Sequence, residues 1–165
     1  MIELHAFGVP SPQGSKTGYV VNGRAVLVEG RAAPARATHK AWRESVRIAA
    51  VNYLATNPRP QLDEPLKVHI DFRFAPTTDR YRTRHASKPD VDKLARTVLD
   101  SLTDSGLIRN DSQVWDLHVT KLYCRGGESP GAIIRITPDG EREAVERQAL
   151  KDEARMARQT VRSQG

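Results

Sequence analysis

Three aspartates in the middle of the chain are the side chains best suited to chemistry. Asp90 and Asp92 are separated by one residue and follow a proline, and Asp111 lies beyond the next predicted helix. Carboxylate oxygens bind hard divalent cations, and such a cation can activate water and neutralise charge on a phosphate. The three aspartates are therefore candidates for a metal site that cleaves phosphodiesters.

The first two aspartates also fit a purely structural role. A helix is predicted over residues 90–104, because apolar residues recur there at helical spacing: Val91, Leu94, Ala95, Val98, Leu99 and Leu102. Asp90 would stand near the N-cap of this helix, and Asp92 would interact favourably with its dipole. Asp111 favours the metal site instead, since a strand running back along the helix could return it toward the first pair.

The charge of the chain indicates the class of partner. The 165 residues include 26 Lys and Arg against 20 Asp and Glu, a net charge of +6. Residues 1–60 hold 8 basic and 3 acidic residues, whereas residues 90–140 hold 6 and 8. A domain this basic favours nucleic acid as its polyanionic partner. Because acidic side chains would weaken simple phosphate binding, the acidic segment favours a nuclease over a non-catalytic nucleic-acid-binding protein.

Several other classes of protein are disfavoured. No apolar run approaches the length of a membrane span, and the N-terminus lacks the order of a secretory signal, so a soluble, cytoplasmic protein is expected. Cys124 is the only cysteine and is expected to be an inert thiol in a reducing compartment. The five histidines match no zinc motif, and no small-molecule cofactor is expected.

The elements that would position the aspartates predict a small α+β domain. Its sheet is expected to be mixed or antiparallel, with a β-hairpin around an Asn-Gly turn and two main helices, the first over about residues 39–55. A strand is predicted over residues 66–74, because polar and apolar residues alternate there without a fault. We expect one domain over residues 1–140 and a charged helix or flexible tail over residues 141–165.

Two tryptophans and one glycine complete the structural expectations. Trp42 and Trp115 lie on apolar faces and are expected in the core rather than in base stacking. Gly106 is expected to end the helix that begins near Asp90.

A basic loop leads directly into the first two aspartates. Residues 76–89 show no periodicity, and their basic side chains are candidates for binding backbone phosphates beside the bond to be cut: Arg80, Arg82, Arg84 and Lys88. An arginine-rich loop that only faces solvent is the alternative interpretation.

Four ordered blocks of sequence resemble the RusA family of Holliday junction resolvases. They are Lys88-Pro89-Asp90-Val91-Asp92-Lys93-Leu94, Val98-Leu99-Asp100-Ser101-Leu102, Asn110-Asp111-Ser112-Gln113-Val114, and finally Lys121. The resemblance is dense over about residues 76–123, and the order of the blocks makes it far more specific than a single Asp-x-Asp.

The resemblance implies a small homodimeric endonuclease that uses Mg²⁺ to nick two opposed strands of a four-way DNA junction. It makes Asp90, Asp92 and Asp111 the metal-binding carboxylates, with Mn²⁺ as an expected substitute for Mg²⁺. Asp100 matches a family aspartate too, and we expect it on the helix face or in a dimer contact. A metal-dependent phosphohydrolase acting on small nucleotides is a further alternative, but it would not need the basic N-terminal half.

The sequence departs from the family pattern at two positions. An asparagine of the pattern is Lys93 here, and a lysine one turn further along is Arg96. Because arginine keeps its proton at physiological pH, Arg96 is expected to act electrostatically on the phosphate or transition state rather than by proton transfer. Lys16, Lys93 and Lys121 are further candidates for DNA contact.

Overall fold

The computed structural model describes residues 1–14, 16–21, 24–29, 33–58, 61–79 and 81–163. These residues form an α+β domain, as the sequence predicts. Its elements, in chain order, are β1 (Ile2–Phe7), β2 (Lys16–Val21), β3 (Arg24–Glu29), α1 (Ala33–Thr56), β4 (Leu66–Phe74), α2 (Val91–Asp104), a 3₁₀ turn (Asp111–Gln113), β5 (Val114–Tyr123), β6 (Gly131–Pro138) and α3 (Gly140–Ser163).

Four of the strands form one mixed sheet in the order β1-β6-β4-β5. Strand β6 pairs antiparallel with both β1 and β4, whereas β4 and β5 are parallel. The predicted hairpin is confirmed as the separate antiparallel pair β2–β3. Its expected turn residues, Asn22 and Gly23, lie outside the described residues.

The core lies between one face of this sheet and the helices α1 and α2. Strand β4 alternates buried and half-buried residues along its whole length, which confirms the predicted strand. Helix α1 contributes Trp42, Val46 and Ala50, all with at most 1% of their surface exposed. Burial of this apolar surface is the main force that holds α1 and α2 against the sheet.

The prediction that Trp115 belongs to the core is wrong. This side chain is 57% exposed. It lies on β5, the edge strand, where the pairing with β4 shifts register between Leu66 and Lys67. The Lys67 Nζ atom lies 4.8 Å from the centre of the indole ring, so a surface cation–π contact replaces the expected burial.

Helix α1 begins earlier than the sequence indicates. The sequence predicts a start near residue 39, whereas the chain is helical from Ala33 onward. Pro34 occupies the second helical position, where its missing N–H removes no intrahelical hydrogen bond. Proline at a helix start is favourable, so the pattern of Ala, Arg and Pro did not exclude a helix here.

Helix α2 connects the two parallel strands and sets the geometry of the site. It spans the predicted range and is followed by Ser105 and by Gly106, whose positive φ of 79° ends the helix as expected. Because β4 and β5 are parallel neighbours, α2 must run back across them. The N-terminus of α2 therefore lies at the carboxyl ends of these strands, and its C-terminus lies near their amino ends.

The last element of the described residues is the long helix α3. Its side chains over residues 141–153 are exposed to solvent. Within the described parts of the chain, none of the helices is both long and apolar enough to cross a membrane.

Candidate active site

The start of α2 presents two carboxylates to solvent. Asp90 has extended backbone, with φ −68° and ψ 140°, and its carbonyl accepts a hydrogen bond from the Leu94 amide at 3.2 Å. Its carboxylate makes no capping hydrogen bond and lies 3.4 Å from Lys93 Nζ. Asp92, in the first turn, is exposed. Asp90 therefore occupies the N-cap position without serving as a side-chain cap.

Lys121 fixes the backbone that enters α2. Its Nζ atom donates hydrogen bonds to the carbonyl oxygens of Ser87 and Pro89, at 2.6 and 2.7 Å. Lys121 lies near the end of β5, opposite Phe72 of β4. The bonds tie the position of Asp90 to the sheet, and two of the three donors of the ammonium group are occupied.

The basic loop is attached to the end of β5. The His85 amide donates to the Lys121 carbonyl at 2.9 Å, and the Tyr123 amide donates to the Thr83 carbonyl at 3.0 Å. The His85 ring stacks on Phe74 with 4.0 Å between ring centres. Burial, together with the positive charge of Lys121, holds the pKa of His85 below its usual value.

The candidate DNA-binding side chains of this loop face solvent. Arg82, Arg84 and Lys88 are all exposed, so their charges are free to meet a phosphate backbone. Arg80 lies outside the described residues.

The segment that follows β1 contacts the first turn of α2. The Gln13 amide donates to the Lys93 carbonyl at 3.0 Å, which joins the segment after β1 to the first turn of α2. The β2–β3 hairpin follows directly. Lys16 begins β2, although its side chain lies outside the described part of the structure.

Asp111 begins the 3₁₀ turn that precedes β5. Asn110 caps this turn, since its Oδ1 accepts from the Ser112 amide and its own amide donates to Gln113 Oε1, both at 2.9 Å. The Gln113 Nε2 atom donates to the carbonyl oxygens of Leu62 and Glu64 at 3.1 and 3.0 Å. Because Asn110 and Gln113 make the capping hydrogen bonds of this turn, the exposed Asp111 carboxylate is not used for capping.

Gln113 is a positioning residue that the sequence reasoning did not single out. It belongs to the block Asn110-Asp111-Ser112-Gln113 that resembles the family pattern. That membership was the available signal, since a glutamine after an aspartate has no distinctive chemistry of its own. In the structure, this side chain anchors the Asp111 turn to the strand entry at residues 62–64.

One chain does not bring Asp111 to the other two aspartates. Asp111 precedes Val114, which pairs with Leu66 at the start of β4, whereas Lys121 and Asp90 lie at the opposite end of the strands. Lys121 lies seven positions after Val114 along β5, a length of about 23 Å at about 3.3 Å per residue. In keeping with this separation, the described residues contain no group of three acidic, histidine or cysteine side chains able to hold a metal.

Arg96 lies one turn beyond Asp92 and is exposed. Among the described residues, it forms no ion pair with Asp92 or with Asp100, which is half-buried. Its guanidinium is therefore available to an external anion on the same side of α2 as the first two carboxylates.

A model of a known protein family matches most of the chain. The family model described as Endodeoxyribonuclease RusA matches residues 12–137 of the 165-residue chain. The match includes both ends of α2 and all three aspartates. No curated protein sequence matches the chain. Because the family model covers most of the chain, this protein belongs to the RusA family of endodeoxyribonucleases, hydrolases that act on branched DNA and resolve Holliday junctions.

Proposed function

We propose that this nuclease resolves four-way junctions by paired, Mg²⁺-dependent nicking, with Asp90, Asp92 and Asp111 as the metal-binding carboxylates. The observation that carries the proposal is that these carboxylates are exposed and have few partners within the chain. Asp92 and Asp111 are exposed without an ion pair among the described residues, and Asp90 has only the contact to Lys93 at 3.4 Å. Such carboxylates offer the hard oxygen ligands that Mg²⁺ prefers, and Mn²⁺ should substitute for it.

The active form in this proposal is a homodimer, because a single chain holds Asp111 at the far end of β5 from Asp90. Each site would combine Asp90 and Asp92 of one protomer with the partner's Asp111. A four-way junction has approximate two-fold symmetry, and a two-fold symmetric dimer presents two equivalent sites to it. The two nicks would then fall on opposed strands.

The residues around the carboxylates supply binding and positioning. Arg82, Arg84 and Lys88 would hold the phosphate backbone beside the strand to be cut. Arg96 would place a permanent positive charge near the scissile phosphate, where negative charge grows in the transition state. Lys121 would keep Asp90 in register with that phosphate through the Pro89 carbonyl. When bound, Mg²⁺ would activate water and neutralise phosphate charge.

The test is cleavage of a labelled four-way junction and of linear duplex with the same arms, each with Mg²⁺ and with EDTA. We expect two symmetric nicks in the junction, only with Mg²⁺, and little or no cutting of the duplex. Junction binding without cleavage in any divalent metal would favour the non-catalytic nucleic-acid-binding protein.

Aspartate variants separate the metal site from a structural role. Asp90→Asn, Asp92→Asn and Asp111→Asn should each abolish nicking while junction affinity stays equal or rises, since each removes a ligand and a charge that repels DNA. Asp152→Asn, on the exposed part of α3, is the matched control and should cut normally. Parallel loss of folding and binding in the three variants would make the aspartates structural.

A further inference from the structure

A cavity of about 180 Å³ opens on the face of the sheet opposite to α1 and α2. Its lining includes Phe7 at the end of β1, Arg73 near the end of β4 and Ser129 in the loop before β6. Arg73 stands between two buried phenylalanines of β4, so its side chain lies on the face away from the core. None of the described residues that line the cavity belongs to the proposed metal site or to the basic loop.

A glycine separates the two main walls of this cavity. Gly131 of β6 pairs with Phe7 on one side and with Arg73 on the other. Neighbouring strands lie about 4.8 Å apart, so the two walls stand about 10 Å apart with no side chain between them. Phe7 is 66% exposed, and Ile133 adds further apolar surface. The gap is therefore wide enough for a planar ring to lie beside Phe7.

Arg73 brings an incompletely neutralised charge to the cavity. Its side chain is only 19% exposed, and its Nε and Nη1 atoms are buried without a hydrogen-bond partner among the described residues. The Glu128 carboxylate lies 3.6 Å from Nε, which is longer than a hydrogen bond, and it already accepts from the Arg125 amide. Because a cation with unpaired N–H groups is costly to bury, Arg73 would stabilise an anion in the cavity.

We propose that this cavity binds one nucleotide unit, with its phosphate on the Arg73 guanidinium and its base against Phe7. A guanidinium matches phosphate oxygens with paired hydrogen bonds, and every base has a π-face that stacks on an aromatic ring. Ser129 also lines the cavity and offers a hydroxyl donor for the same phosphate. The site goes beyond the proposed function, because it uses neither the metal nor the three aspartates.

Two sources carry this chemistry, a free mononucleotide and a strand of the DNA substrate. Arg73 directly precedes Phe74, on which His85 of the basic loop stacks. The cavity and Asp90 therefore lie at the same end of the sheet, although on opposite faces. A strand that passes the carboxylates reaches the cavity by crossing this end, so the position of the cavity favours DNA as the source.

Calorimetric titration of the full chain with thymidine 5′-monophosphate (dTMP) in EDTA tests the site without the metal. Arg73→Met should raise the Kd for dTMP by about tenfold or more, the scale of losing hydrogen bonds to a charged group. Phe7→Ala should raise it by about tenfold, toward the Kd for inorganic phosphate, because base stacking is lost. Circular dichroism and Tm should change little in Phe7→Ala, since this ring is exposed.

Two variants serve as matched controls. Arg125→Met removes the same charge from an exposed residue of the loop before β6, and Trp115→Ala removes another exposed aromatic ring. Both should bind dTMP as wild type does. If wild type does not bind dTMP at millimolar concentration, or if Arg73→Met and Phe7→Ala bind it as tightly as the controls, the inference is overturned.

Junction binding identifies the source of the nucleotide. If it belongs to a DNA strand, Arg73→Met and Phe7→Ala should also weaken binding of a four-way junction, and dTMP should compete with the junction. Loss of dTMP binding at full junction affinity would keep the site and assign it to a free nucleotide. Since dTMP binding is measured without metal and without cleavage, its outcome is independent of whether the proposed metal site is correct.

Discussion

Lys121 Nζ donates a hydrogen bond of 2.7 Å to the carbonyl oxygen of Pro89, the residue before the first candidate metal ligand. The same ammonium group bonds the Ser87 carbonyl at 2.6 Å. A residue of the edge strand thereby controls where the N-terminus of α2, and with it Asp90, lies relative to the sheet.

Lys121→Met keeps the aliphatic stem and removes both hydrogen bonds. If Lys121 positions Asp90, single-turnover nicking should fall by about 10²-fold, the scale of a small misplacement of a catalytic group, with junction affinity nearly unchanged. Lys151→Met on α3 serves as the control. A loss of affinity with a shallower salt dependence, at an unchanged cleavage rate, would instead make Lys121 a phosphate contact.

The basic loop is predicted to bind the DNA backbone. Changing Arg82 and Arg84 to Ala should weaken junction binding and reduce the slope of log affinity against log salt by about one per lost phosphate contact. Titrations at several salt concentrations measure this slope. The control Arg142→Ala, on α3, should leave the slope unchanged. If the slope of the loop variant equals that of wild type, the loop only faces solvent and does not bind phosphates.

Arg96 is predicted to act through its permanent charge. Arg96→Ala should lose about 10²-fold or more in single-turnover cleavage, the scale of deleting a charge partner of the transition state, whereas Arg96→Lys should retain much of the rate. Both variants should bind the junction. If Arg96→Ala cleaves at the wild-type rate, another side chain supplies the positive charge at the transition state, and Lys93 and Lys88 are the first to test.

His85 is predicted to make the fold less stable in acid. Its pKa is lowered from 6.5 in the folded state, chiefly by burial and also by Lys121, so the unfolded chain binds the proton more readily. The stability from the neutral ring is present above about pH 6.5 and is lost as the pH falls below it. His85→Phe keeps the stacking on Phe74, so urea unfolding at pH 7.5 and pH 5.5 should show a smaller difference than in wild type. If the stability difference between the two pH values is the same in His85→Phe and in wild type, His85 is not the source of the acid sensitivity.

Much of the fold follows from local pattern. Strand β4 and helix α2 were predictable because a buried face imposes a period of two or of 3.6 on the sequence. Trp115 was placed wrongly because alternation gives the face of a strand but not whether anything covers that face. That property depends on strand order, and β5 at the sheet edge is a tertiary result.

The candidate site was predictable in its residues but not in its assembly. The three aspartates follow from residue types and from the resemblance to the family. A helix followed by a strand could have returned Asp111 to Asp90, yet the parallel pairing of β4 with β5 places them at opposite ends. The side chains of Lys121 and Gln113 donate hydrogen bonds to backbone carbonyls far away in the sequence, so no local pattern predicts these contacts.

The central claim is that each catalytic site combines carboxylates from two protomers. Asp90→Asn and Asp111→Asn variants, each inactive alone, can be mixed under conditions that exchange subunits and then given a labelled junction. A heterodimer would hold one doubly defective site and one intact site, so the mixture should regain single-strand nicking at about a quarter of the wild-type site concentration.

The matched control mixes Asp90→Asn with Asp92→Asn. This mixture should regain no nicking, because Asp90 and Asp92 of each site come from the same protomer and every site therefore lacks one of them. Recovery in the first mixture alone is the predicted result. No recovery in the first mixture, despite heterodimers demonstrated by a size tag on one variant, would contradict a site built from two chains.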